Sequence, residues 1–161
     1  MSANELSALL WRERELLELL TFKLEVEQLL LTSGKTRWLS RASGEIEQVT
    51  DRLRSVGLAR TVEVENVAEE WQAPEGATLR ELLAKAPTGP WQEIFEAHLK
   101  ALTDLTTKVR TVRDANELLL RSAARATQET IASTGETVHV YDARGVAGAQ
   151  TVDARFLDKD I

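Results

Sequence analysis

Residues 90–126 read PWQEIFEAHLKALTDLTTKVRTVRDANELLLRSAARA, and their spacing decides the fold class. Trp91, Phe95, His98, Leu102, Leu105, Val109, Val112, Asn116, Leu119, Ala123 and Ala126 follow one another in unbroken steps of three and four residues. Such steps put every member on one face of an α-helix. Pro90 suits the first helical position, where its missing amide hydrogen leaves no bond unmade. The spacing predicts a helix over 90–133, roughly 44 residues and about 65 Å long at ~1.5 Å per residue. A helix so amphipathic does not hold alone in water, so its seam has to meet other helices or a partner.

The chain upstream supplies such helices. Ser2-Ala3-Asn4-Glu5 is a capping-box pattern, and Leu6, Leu10, Leu17, Leu20, Leu24 and Leu31 then share a face that Glu13 and Glu27 interrupt. This predicts a helix over about 3–32, closed by Ser33-Gly34, where glycine accepts the left-handed conformation. A second helix over 36–56 carries Leu39, Ala42, Ile46, Val49, Leu53 and Val56 in the same three-four rhythm. So short a connection forces the two helices into an antiparallel hairpin. Gly57 is expected to break or kink the chain before a further helical piece at 60–71. Pro74, Pro87 and Pro90 are the three prolines and fall in one connector, inside which Thr78-Leu79-Arg80-Glu81 opens a short helix over 78–86. After Gly135 small residues dilute the pattern, and 135–161 is expected to be a flexible tail. The expected architecture is all-α: an elongated antiparallel helical hairpin or three-helix coiled-coil bundle over 1–134.

Composition narrows the function. There is no cysteine, which removes thiol catalysis and thiolate metal sites. A net charge of −6 disfavours nucleic-acid backbones and anionic lipid. The longest aliphatic runs, Leu29 to Leu31 and Leu118 to Leu120, fall far short of the roughly 20 residues a membrane span needs, so no membrane insertion is expected. A di-iron bundle needs Glu-x-x-His, but Phe95 stands three residues before His98. His139 lies away from any helix, and neither histidine is placed by sequence to activate a serine. No catalytic residue, metal ligand or cofactor is expected.

What is left is apolar surface. Ile94, Leu99, Leu118 and Leu120 in the long helix, with Leu9, Leu16, Phe22, Val26 and Leu29 in the first, exceed one narrow seam. Either a third helix covers them or a partner does. Asn116 reads as a buried amide that sets register, and the four tryptophans, Trp11, Trp38, Trp71 and Trp91, as core. The expected partner-binding residues on the long helix are Leu105, Val109, Val112, Asn116, Leu118 and Leu119.

The run Leu16-Leu17-Glu18-Leu19-Leu20-Thr21-Phe22-Lys23-Leu24-Glu25-Val26-Glu27-Gln28-Leu29-Leu30-Leu31, then Gly34 and Arg37-Trp38-Leu39, resembles the FlgN family of flagellar type III export chaperones in its actinobacterial form. Thr78-Leu79-Arg80-Glu81-Leu82, Pro90-Trp91, Ile94-Phe95 and Asn116-Glu117-Leu118-Leu119 continue the likeness. It implies a cytoplasmic, non-enzymatic chaperone that holds flagellar hook-associated proteins as cargo and delivers them to the export gate. The resemblance further implies that the C-terminal helix and tail, Phe156 and Leu157 included, engage cargo. It also implies that Tyr141 docks on the gate's cytoplasmic domain. The alternative expectation is a structural coiled-coil protein whose seam serves self-association, for instance as a homodimer.

Overall fold

The computed structural model describes residues 2–137. Four α-helices run α1 (Ser2–Thr32), α2 (Leu39–Glu70), α3 (Leu79–Ala84) and α4 (Pro90–Thr137). Among the described residues there is no strand, so the all-α expectation holds. The expected flexible tail lies outside the described residues, apart from its helical start at 135–137.

Each boundary has a local cause. At the end of α1 the Lys35 amide donates to the Leu30 carbonyl and the Gly34 amide to Leu31, with Gly34 at φ +69°. This is the closing motif expected of a left-handed residue just past a helix. A 3-10 turn at Thr36–Trp38 then leads into α2. The end of α2 repeats the motif, the Ala73 amide reaching Ala68 and the Gln72 amide reaching Glu69, but Gln72 holds the left-handed position at φ 54°. The Thr78 capping box forms as read: Thr78 Oγ1 accepts from the Glu81 amide, and Glu81 Oε2 accepts from the Thr78 amide at 2.8 Å. Pro90 is the first residue of α4.

Gly57 does not break the second helix; α2 runs on through it to Glu70. Glycine costs about 1 kcal/mol in a helix interior. Val56, Val67 and Ala68 are buried on either side of it, and burying a valine returns roughly 1.5–3 kcal/mol. Packing on both sides therefore carries the helix across its weakest residue.

Within the compact unit Met1–Leu120, α1 and α2 are antiparallel: Glu13 meets Arg60, while Lys23 meets Glu45 at 2.7 Å. Along α4, His98 reaches Ser7 and Asn116 reaches Leu24, so α4 is parallel to α1. Two apolar clusters fill the space between the helices. One gathers Leu6, Leu10, Leu17, Val67, Leu82, Phe95 and Leu102. The other gathers Leu16, Leu20, Leu24, Val49 and Val56, and Leu53 and Val109 pack against both. Leu16, one of the surplus leucines, is thus buried in the cluster that α1 shares with Val49 and Val56 of α2.

The second unit, from Arg121 onward, includes the rest of α4. Every side chain from Arg121 to Gly135 is exposed, including Ala123 and Ala126. Continuing the seam through these two alanines overreached, because a three-four rhythm records which face residues share and not whether a neighbour is there to cover them.

Candidate functional site

The face that α4 turns to α1 holds two buried polar groups. At its N-terminal end His98 is only 1% exposed. Arg14 Nη1 points at its Nδ1 from 3.5 Å, which makes Nδ1 the acceptor and leaves Nε2–H to donate to Ser7 Oγ at 3.1 Å. Trp11 meets the ring edge-on at 5.2 Å, and Phe95 lies beyond at 6.3 Å. A serine beside a histidine invites comparison with a nucleophile and its base. Here the third group is a cation where such a triad places a carboxylate to steady a protonated ring, so the three side chains do not form that arrangement. This pair was not legible in the sequence, since Ser7 and His98 meet only across the helix interface.

Burial, aided by the Arg14 charge, holds His98 below the usual histidine pKa. The unfolded chain then takes up a proton near pH 6.5 that the folded chain refuses, so stability is lost as pH falls below that value. Glu13 acts in the opposite sense: burial, partly offset by Arg60, raises its pKa, so the folded chain takes up its proton first. That effect belongs to the pH range just above the ordinary carboxylate value. The free energy of unfolding should therefore fall between pH 7.5 and 5.5, at no more than about 1.4 kcal/mol per pH unit. A His98→Gln variant should flatten that slope, and an equal slope in the variant would clear His98 of the effect.

Further along, Asn116 is 2% exposed and Glu27 6%. Asn116 Nδ2 donates to the Leu24 carbonyl at 2.8 Å and to Glu27 Oε1 at 3.1 Å. From α2, Ser43 Oγ donates to Glu27 Oε2 at 3.1 Å. Three helices thus share one carboxylate, and their relative register is set there, because a slip by one turn would strand every partner. Asn116 was legible as a seam polar residue. Glu27 showed only as a break in a leucine stripe, and Ser43 gave no signal.

The remaining sequence-predicted residues divide. Leu105, Val109 and Val112 are half-buried and pack against the clusters formed with α1 and α2. Leu119 is half-buried, whereas Leu118 stands 67% exposed with Leu120 exposed beside it. Tyr141, Phe156 and Leu157 lie outside the described residues. On the outer side of α1, Trp11, Phe22 and Leu29 are exposed, and Trp11 contributes with Leu9 and Val62 to an open α1–α2 groove of about 980 Å3. Trp11 and Trp38 are therefore not core residues, though Trp71 and Trp91 pack against the core as expected. Among the described residues no cluster of metal-ligating side chains occurs, and no helix is long and apolar enough to cross a membrane.

The model of the family described as FlgN protein matches residues 1–147. No curated protein and no solved structure matches the chain.

Proposed function

The chain belongs to the FlgN family of flagellar export chaperones, and from that premise we propose that it binds hook-associated proteins in the cytoplasm. It keeps them from assembling early and delivers them to the export gate. The observation that carries this reading is Leu118: a large aliphatic side chain on the exposed side of a helix whose opposite side is already occupied. An amphipathic client segment laid along that side would bury it, which is how a helix-in-groove interface gains affinity. Leu105, Val109, Val112 and Asn116 serve from the inner side by holding α4 on α1, and Leu119 lies at the edge between the two. Tyr141, Phe156 and Leu157 are assigned to gate and client contacts on the family resemblance alone.

Leu118→Asp tests it, since a charge on an exposed helix position costs little stability, within about 0.5 kcal/mol. Co-purified hook-associated protein should bind the variant at least about tenfold more weakly, a loss of roughly 1.4 kcal/mol. Unchanged affinity with an intact fold would remove α4 as the client face.

A second reading is favoured by the exposed Trp11, Phe22 and Leu29 on α1, which would suit self-association. Sedimentation decides between them: an oligomer that persists on dilution and ignores client supports self-association, and a concentration-independent monomer excludes it.

A further inference from the structure

Beside the Asn116 network an open notch of about 310 Å3 lies between α1, α2 and α4. Leu24, Glu27, Ile46, Glu47, Asn116 and Leu120 line it. Its polar groups are unbalanced. Both partners of Asn116 Nδ2 are acceptors, so the amide cannot be turned round, and Oδ1 is left buried with no donor. Among the described residues Glu27 receives only neutral donors, from Asn116 and Ser43, and takes part in no ion pair. Arg113 also lines the notch, but its guanidinium pairs with Asp114, and Lys23 pairs with Glu45. A buried carboxylate without a counter-charge and a buried carbonyl without a donor are both costly to leave so. Each also retains a lone pair for another donor.

The complementary group is rich in donors, positively charged and free of acceptors, which describes a lysine ammonium or an arginine guanidinium. Leu24, Ile46 and Leu120 offer apolar cover for the methylene stem such a side chain carries. We propose that this notch receives a lysine or arginine side chain of the client, held by Asn116 Oδ1 and the Glu27 carboxylate, with Glu47 at the rim. The proposal rests on the chaperone reading only for the source of the side chain.

The test uses the full chain, n-butylguanidinium chloride as the cationic probe with n-butanol as its neutral counterpart, and a purified hook-associated protein. Glu27→Gln keeps the shape and the hydrogen bond from Asn116 while deleting the charge, and its thermal midpoint should equal or exceed that of the parent chain. Butylguanidinium should shift the Asn116 side-chain amide resonances saturably where butanol does not, and Glu27→Gln should weaken both the probe and the hook-associated protein at least tenfold. If the hook-associated protein binds Glu27→Gln as tightly as the parent, the notch proposal falls and the chaperone reading stands. If it does not bind the parent at all while butylguanidinium still saturates, the chaperone reading falls and the notch remains a cation site. No saturable response to the probe would mean that the notch holds only solvent, and the proposal would be overturned.

Discussion

Phe95→Ala should lower the free energy of unfolding by about 3–5 kcal/mol, the range found when a fully buried phenylalanine is cut back to a methyl group. Phe95 is 1% exposed and is the central ring of the α4 end of the bundle. Trp71 meets it edge-on at 5.6 Å from the end of α2, and Trp91 stacks on it at 5.7 Å. The same apolar cluster takes in Leu6 and Leu10 of α1 and Leu82 of α3. Its removal opens a hole that four helices border, and rigid neighbours close such holes only partly. For a domain whose total stability is of order 5–15 kcal/mol, that loss is a large fraction. Urea unfolding followed by tryptophan fluorescence is the measurement, because Trp71 and Trp91 report on this end. Phe95→Leu, which conserves most of the volume, should cost much less. A loss below about 1 kcal/mol for the alanine variant would show that this end of the bundle is loosely packed.

The second large effect is a coupling. Asn116→Leu removes the donor that bridges α4 to Glu27 and to the Leu24 carbonyl. Losing a hydrogen bond to a charged group costs about 1.5–3 kcal/mol, and a buried carboxylate left with Ser43 alone adds to that. Glu27→Met alone should also destabilise, by stranding Asn116 in an apolar setting. Combined, the two changes replace both partners with apolar groups of similar size, a substitution that is often near neutral. The double variant should therefore recover to within about 1 kcal/mol of the parent, which a double-mutant cycle reads as strong coupling. Strictly additive losses would show that Asn116 and Glu27 do not act as a unit.

The long seam was legible because period alone reveals it: Phe95, His98, Leu102 and Asn116 are buried where a three-four rhythm put them. Turn chemistry was equally local, so Gly34, the Thr78 box and Pro90 could be read from a few residues each. Gly57 was misread because its propensity is local while the packing that overrides it comes from α1 and α4. The partner face was only half legible. Leu105 in the seam and Leu118 outside it were both expected to bind the partner, yet Leu118 is exposed while Leu105 packs on the core.

What the chain determined by itself, then, was that it is helical, where its helices start and stop except at Gly57, and which residues share a face, since all of these depend on neighbours within a few positions. Only the tertiary structure decided which of the apolar faces is covered. It alone brought Glu27, Ser43 and Asn116 to one carboxylate and Ser7 to His98, because such meetings depend on three helices closing together, and hydrogen bonds between distant residues leave no period in the sequence.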